Sequence, residues 1–439
     1  MSYEESALDD GALPPLPRVD NIERDYDVQT MLGRGTFGTV FRAVRRRDRL
    51  LVAMKVLRSG VLAQRLDDAR ELAMLRHVRR RRVNAAQDGY TELGEDAAQC
   101  LSNVACFVSA FVWTPQDSAA DGVNEMNRLV RAWQDDNPEF RDEARLFDVG
   151  VEYTVIVTEF VPGQDMRDLI ANEIAPTPEG RRDVTVTALR GLEQLHDVAG
   201  VAHNDIKPDN IRVTDDADAV LVDLGLGCVR YPVSEALGIG IPLPCADVAY
   251  DRMGTAFYTP PELARALLEG VPVDTDARMK GDVWSLGLSL LELFGGSLDE
   301  LSRMQGYDTS AVLKALANYT TVITDEQARA WMPDDPRLAE LVAGMVHPDP
   351  EQRPTAAQAL AWLDQPPVEV SVMESGGAGA AAGGAPSATG SSVTMAGPGG
   401  ERQFVTSSTC TCSTGSAQSA SRTPGRTQHT CVCRNTVSP

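Results

Sequence analysis

The spacing of apolar positions divides the chain into regions of different texture. From Tyr26 onward, short apolar runs are punctuated by glycine, the signature of strands joined by turns. Longer helical periodicity begins after Arg181. Val283, Leu286, Leu290 and Leu293 recur at helical spacing, which predicts a largely buried helix over Asp282 to Phe294. Asp299 to Ser302 and Asp335 to Met345 continue in the same style. A β-rich part followed by a mainly helical part predicts an α+β architecture of two subregions with a cleft between them.

Three segments stand outside this pattern. Residues 1–25 read as a flexible leader, with Pro14-Pro15-Leu16-Pro17 as a linker stretch. Thr114 to Glu143 is polar and irregular, and is expected as a surface insertion between two strands. The last 75 residues, after Asp364, are dominated by Gly, Ala, Ser and Thr. Such a tail buries too little apolar surface to offset its ordering entropy, so disorder is expected over 365–439.

Composition narrows the functional field. The chain has 439 residues, 43% of them hydrophobic, enough for a substantial core. A formal net charge of −22 argues against nucleic-acid binding and favours encounters with basic partners. The N-terminus lacks the apolar core of a secretory signal, and no apolar stretch approaches the roughly 20 residues that span a bilayer. The expectation is a soluble intracellular protein of the cytoplasm or nucleus. Cys100, Cys106, Cys228 and Cys245 are scattered without a disulfide-like framework, which suits a reducing compartment.

Candidate chemistry starts at Leu32-Gly33-Arg34-Gly35-Thr36-Phe37-Gly38-Thr39-Val40. Glycines at 33, 35 and 38 let a strand–turn–strand present backbone N–H groups to phosphate oxygens. Glycine trios are common in hairpins, so this signal alone is weak. Val52-Ala53-Met54-Lys55 then places one lysine in an apolar strand, a poor place for an ammonium unless anionic groups meet it. Glu71, on the helical stretch Asp67 to His77, offers a carboxylate.

The second half of the pattern is more specific. His203-Asn204-Asp205-Ile206-Lys207-Pro208-Asp209-Asn210 is followed, 18 positions after Asp205, by Asp223-Leu224-Gly225 at the end of an apolar run. Asp205 can orient a hydroxyl and accept its proton. Asn210 and Asp223 offer oxygens to magnesium, a hard cation, and Lys207 can steady a transferring phosphoryl group.

These residues together resemble the protein kinase superfamily from about Tyr26 to Asp364. The resemblance implies a bilobal fold, with a small β-rich N-lobe over 26–161 and a larger α-helical C-lobe over 162–364. It implies a glycine-rich loop at Gly33 to Val40, an ATP-binding lysine at Lys55 and its helix partner at Glu71, with Leu75 in the regulatory packing column. Leu32, Ala53 and the hinge segment Thr158-Glu159-Phe160-Val161 would enclose adenine, Glu159 and Val161 through their backbone. His203-Asn204-Asp205 stands for His-Arg-Asp and Asp223-Leu224-Gly225 for Asp-Phe-Gly. Gly254 to Glu262 resembles the substrate-docking loop, Asp282-Val283-Trp284-Ser285-Leu286-Gly287 the start of the central helix, and Arg353 the partner of Glu262. Lys207 and Thr255 are the serine/threonine-type choices. The implied activity is transfer of the ATP γ-phosphate, with Mg²⁺, to Ser or Thr of protein substrates, basic ones among them.

Several positions depart from the family pattern. Asn204 replaces an arginine that in many kinases binds an activating phosphate, so activity is expected to be independent of such a phosphate. Arg212 falls where the family has an apolar residue beneath adenine. Small-molecule kinases of the choline and aminoglycoside type share His-Asn-Asp, but usually lack the docking loop and the Asp-Val-Trp-Ser-Leu-Gly helix. A pseudokinase scaffold would be favoured by loss of Lys55, Asp205, Asn210 or Asp223, and all four are present. Arg45 to Arg47 and Arg79 to Arg82 read as solvated charge runs. In the tail, Cys410-Thr411-Cys412 and Cys431-Val432-Cys433 have a spacing shorter than common zinc ligand pairs.

Overall fold

Strand-forming sequence starts earlier than the alternation of apolar residues indicates. The computed structural model describes residues 16–35, 38–58, 71–79, 100–116, 122–138, 146–174, 176–230, 245, 255–298, 308–364, 406–414 and 429–437. Six strands build the first sheet: β1 (Arg18–Val19), β2 (Tyr26–Gly35), β3 (Gly38–Arg45), β4 (Leu51–Arg58), β5 (Phe107–Trp113) and β6 (Tyr153–Glu159). Their order is β1-β5-β6-β4-β3-β2, antiparallel except where β1 runs parallel to β5. Ile22, in the 3-10 turn after β1, is fully buried. Arg18 and Val19, within the stretch read as a leader, thus belong to the sheet, and Ile22 to the core beside it. Two strand residues and one buried isoleucine are too few to register as a period.

The sheet's inner face is set by alternation. In β3, Phe41 and Ala43 point into the core, where Val52, Met54 and Val56 of β4 and Val155 and Val157 of β6 meet them. Arg45 turns the chain between β3 and β4, its Nε on Asp48 at 2.9 Å, while Arg46 and Arg47 are exposed. The described part of the helix holding Glu71, α1 (residues 71–79), buries Leu72, Ala73, Met74 and Leu75 in a core shared with the helical part. Arg79 points its guanidinium at the Phe107 carbonyl, and 80–82 lie outside the described residues.

The segment expected as a surface insertion holds a helix, α2 (Val123–Asp136). Val123, Met126, Leu129 and Val130 share one face and are buried with Trp113, Phe147 and Tyr153. Asn127 locks the return: its Nδ2 donates to the Phe147 carbonyl at 3.0 Å and its Oδ1 accepts from Phe147 N at 2.7 Å. Four apolar residues among polar neighbours form a narrow stripe, which the overall polarity of the stretch masks. Each contributes about 1.5–3 kcal/mol on burial, enough to dock a helix of this length.

Beyond β6 come β7 (Gln164–Asp165), α3 (Met166–Ala171), α4 (Pro178–Glu193), β8 (Val201–Ala202), β9 (Ile211–Val213), β10 (Ala219–Leu221) and β11 (Cys228–Val229). Helices α5 (Pro261–Glu269), α6 (Thr275–Leu293), α7 (Thr309–Ala317), α8 (Asp325–Trp331), α9 (Pro336–Met345) and α10 (Ala356–Asp364) follow. Their starts are written locally. Thr177, Asp274, Asp308, Thr324 and Asp335 each accept a backbone N–H three residues on, a cap that contributes about 1 kcal/mol apiece. The predicted helix over 282–294 is real but starts at Thr275, because Asp274 supplies the cap. It is the buried centre of this half, with Trp284 fully enclosed. The helical stretch predicted at 299–302 lies outside the described residues, and that at 335–345 is α9.

The two halves are stitched by backbone bonds: Leu221 N donates to Asn103 O, and Ala105 N to Leu221 O, both at 2.9 Å. Two cysteine pairs are bonded, Cys100–Cys106 and Cys228–Cys245, although the spacing in sequence shows no such framework. No helix among the described residues is long and apolar enough to cross a membrane. The chain separates into two compact units, Met1–Pro367 and Val368–Pro439. In the second, β12 (Thr406–Thr414) pairs antiparallel with β13 (His429–Val437), setting Cys410 opposite Cys433 and Cys412 opposite Cys431. Thr recurs in both strands, a residue that suits a pleated sheet.

Candidate active site

Lys55 sits mid-strand in β4, paired in register with Val40 and Ile156. The partners of its ammonium come from two other elements. Nζ lies 3.0 and 2.9 Å from the Glu71 oxygens and 3.2 Å from both Asp223 oxygens. Burial would push the lysine's pKa down, but Glu71 and Asp223 outweigh it and hold the ammonium well above its ordinary value. Burial would likewise raise Asp223, yet the Lys55 charge and the Gly225 N–H keep its carboxyl below the usual range. Lys55 and Asp223 are therefore both charged across the neutral pH range.

The glycine hairpin adjoins Lys55, whose strand partner is Val40. Gly33 pairs with Val40, Arg34 with Thr39 and Gly35 with Gly38, while Thr36 and Phe37 lie outside the described residues. A Cβ on Gly38 would stand 2.6 Å from the Val56 carbonyl oxygen, so only glycine lets β3 lie this close to β4. Leu32 is exposed, and Val40 and Ala53 are half-buried. At the hinge, Glu159 N donates to Cys106 O at 2.9 Å and its carboxylate accepts from Cys106 N at 3.0 Å. Burial raises the Glu159 pKa, opposed by that N–H. Val161 is buried.

The catalytic-loop end is organised by a residue that the sequence reading placed only in a helix. Asp282 of α6 is buried, accepting from His203 N at 2.7 Å and Asn204 N at 2.8 Å, with His196 Nε2 at 3.0 Å. An isolated buried carboxylate is costly, so its three partners are what make it tolerable there. Its signal in sequence was the Asp before Val283-Trp284, with no hint of the loop 78 positions away. The loop turns at Asn204 (φ 62°), and Asp223 has the same φ of 62°, a left-handed backbone that Asn and Asp accept more readily than most residues.

Asp205 then faces the cleft with its oxygens directed. Asn210 Nδ2 donates to Oδ2 at 2.8 Å, Lys207 Nζ is 3.0 Å from the same atom, and Thr255 N donates to Oδ1 at 3.3 Å. Lys207 also donates to Thr255 Oγ1 at 3.1 Å, linking the loop to the docking segment. Because the Asn210 amide nitrogen is committed to Asp205, its oxygen is the end left for a cation. Val222 N donates to Asn210 O at 3.0 Å, which holds Asn210 beside the Asp223 turn. Two hard oxygen donors, a buried ammonium and a glycine hairpin form a donor set that fits a magnesium–nucleotide pair.

Of three further arrangements, the partners of Arg212 and Arg167 were not read from sequence, and the Arg353 pair was. Arg212 turns its guanidinium to Asp165 Oδ1 (2.8 Å) and to the Gly163 carbonyl, away from the apolar core. Burial raises the Asp165 pKa, against the pull of Arg212. Arg167 of α3 bonds Tyr258 OH at 2.5 Å and lies 3.4 Å from both Asp209 and Glu292. It fills an acidic corner beside the docking segment. Arg353 pairs with Glu262 at 2.8 and 3.2 Å, the partnership the family resemblance implies, and also donates to the carbonyls of Lys280 and His347.

A protein kinase domain model matches residues 143–362, just over half of the chain. The chain belongs to the protein kinase family. Among curated proteins it is similar to a serine/threonine-protein kinase, stk11, of Xenopus laevis, 29% identical over 37% of this chain and 31% of that protein. It is 32% identical to serine/threonine-protein kinase PknL of Mycobacterium tuberculosis over 32% of this chain and 30% of the relative. It is 22% identical to Rho-associated protein kinase let-502 of Caenorhabditis briggsae over 72% of this chain and 19% of the relative. The chain thus spans less than half the length of these relatives. The glycine hairpin and Lys55 precede the matched range, so their place in the site rests on the geometry above.

Proposed function

We propose that this chain is a serine/threonine protein kinase that transfers the γ-phosphate of ATP to hydroxyls of protein substrates. The observation that carries the reading is the Lys55–Glu71–Asp223 triad assembled from three elements beside a directed Asp205. When bound, ATP supplies the phosphoryl group and Mg²⁺ neutralises its charge. Lys55, oriented by Glu71, binds phosphate oxygens, and the backbone of Gly33 to Val40 covers them. Ala53 and the hinge at Glu159 and Val161 receive the adenine ring. Asp223 and Asn210 hold the metal. Asp205 orients the acceptor hydroxyl and takes its proton, while Lys207 stabilises charge at the transferring group. Preorganised charges of this kind act strongly in a site that excludes water.

The preference for Ser and Thr rests on Lys207 and Thr255, which contact each other across the acceptor position, and on the kinds of relative matched. The test is transfer of radiolabelled phosphate with Mg²⁺ to a Ser/Thr peptide library, to choline and to an aminoglycoside, beside an Asp205→Ala control. Label on Ser or Thr that disappears in the control is the expected result. Nucleotide binding without transfer to any acceptor would overturn catalysis and leave a scaffold.

A further inference from the structure

We propose that Cys228 and Cys245 form a reversible thiol-modification site at which a low-molecular-weight disulfide, such as oxidised glutathione, sets the activity of the kinase. The site lies between the two functional ends of one segment. Cys228 follows Asp223 by five positions, and Cys245 precedes Thr255 by ten. Thr255 N donates to Asp205, so the segment begins at one working carboxylate and returns to the other. Without a bond, 32 positions separate Asp223 from Thr255. With it, the unbridged spans are five and ten. Cross-links of this kind act by removing chain freedom that folding would otherwise have to remove.

The bond is seated in a built environment. Cys228 in β11 pairs with Ala202 in β8, directly ahead of His203. Cys228, Cys245, Ala202 and Met279 form one small buried cluster. Asn204 Nδ2 donates to Cys228 Sγ at 3.1 Å and to Leu226 O at 3.0 Å. Asn204 occupies the position where an arginine would meet a phosphate on this segment. Here its amide meets sulfur, and a covalent bond does the tethering that an ion pair would do.

The chemistry balances as two exchanges. One cysteine thiolate attacks oxidised glutathione, forming a mixed disulfide and releasing a glutathione thiolate. The second cysteine thiolate attacks the protein sulfur of that mixed disulfide, closing Cys228–Cys245 and releasing the second glutathione. Two electrons pass from the cysteine sulfurs to glutathione, and two protons leave the protein thiols. Reduced glutathione reverses both steps.

The test uses the full chain, with Cys410, Cys412, Cys431 and Cys433 changed to Ser, equilibrated in oxidised or reduced glutathione. Peptide mapping by mass spectrometry follows the bond. Peptide phosphorylation and hydrogen exchange at the Arg230 and Thr255 amides follow the consequence. The activity readout rests on the kinase reading, but hydrogen exchange does not, so failure of one is separable from failure of the other. Oxidation should protect both amides and raise transfer about tenfold, a modest effect for a bond closing a 17-residue separation. Cys245→Ser should abolish both responses, and Cys100→Ser should keep them. The proposal is overturned if the bond does not form, if it forms without changing exchange at Thr255, or if Cys245→Ser still responds.

Discussion

At the Lys55 end of the cleft, one buried ammonium is shared by two carboxylates from separate elements. At the Asp205 end, the carboxylate is held mainly by neutral donors, and its lysine is more exposed, 20% against 12% for Lys55. The first end is therefore positioned by charge, in a place where charges are weakly screened. The second is positioned by backbone bonds that radiate from Asp282. Loss of a charge should unbalance the Lys55 end locally, while loss of Asp282 should loosen the whole loop. That distinction orders the consequences of mutation.

The largest expected effect on chemistry is at Asp205. Asp205→Ala should lower phosphoryl transfer about a thousandfold, the size of a lost general base, while ATP binding persists. Lys55→Met should cost about a hundredfold and weaken ATP binding as well, because it removes a donor aimed at phosphate. Measuring nucleotide affinity by titration alongside transfer separates the two ends. If both variants lose binding equally, the division of labour proposed between them is wrong.

Asp282→Ala should be the most damaging to stability. It leaves the His203 and Asn204 N–H groups and the His196 ring without their shared acceptor. A loss of about 3–5 kcal/mol is expected in chemical denaturation. Lys207→Met, by comparison, removes a partly exposed charge and should change stability by no more than about 1 kcal/mol. Equal losses in the two variants would show that the loop is held by its charges as much as by the backbone bonds to Asp282.

The charged end also carries a pH signature. Asp223 is depressed below the ordinary carboxylate value, so its stabilisation is complete above about pH 4 and is lost as pH falls through the depressed value. In Lys55→Met the cation is gone, and burial is left to raise Asp223, with Glu71 as a second carboxylate facing it. Its contribution should then be present at acid pH and fade as pH rises through the raised value. Thermal melts between about pH 3 and pH 7 should show opposite slopes for the two proteins. Parallel slopes would mean that Lys55 does not set the charge of Asp223.

How much of this was legible depended on whether the information was local. The caps at Asp274, Asp308 and Thr324 are written within three residues but carry no apolar period, so periodicity alone began the central helix at Asp282. The lysine in an apolar strand, by contrast, announces an anionic partner. The Asp205, Asn210 and Asp223 cluster was readable because its spacing is tight. Asp282 was not readable as a loop anchor, since its partners lie 78 and 79 positions away. Helix α2 was hidden because four apolar residues carry its docking while its other faces are polar. The two disulfides were hidden for a related reason. Cys228 and Cys245 meet only because β11 pairs with β8 and brings them to Met279, a placement that cysteine spacing does not encode.

Arg212 offers the smallest effect and the finest test of the contrast. It lies on β9, where an apolar residue was expected, but its guanidinium leaves the core to bond Asp165 and the Gly163 carbonyl. Gly163 has a φ of 98°, and a Cβ there would collide with the Val213 carbonyl oxygen, so this corner is fixed by backbone already. Arg212→Leu should then cost only about 1 kcal/mol, the worth of a partly exposed pair. Affinity for ATP should change by no more than about threefold, less than one tenfold step of binding energy. A much larger loss of affinity, without a matching loss of stability, would show that the Arg212–Asp165 pair belongs to the nucleotide site. The charge-positioned end would then extend beyond Lys55 to the mouth of the cleft.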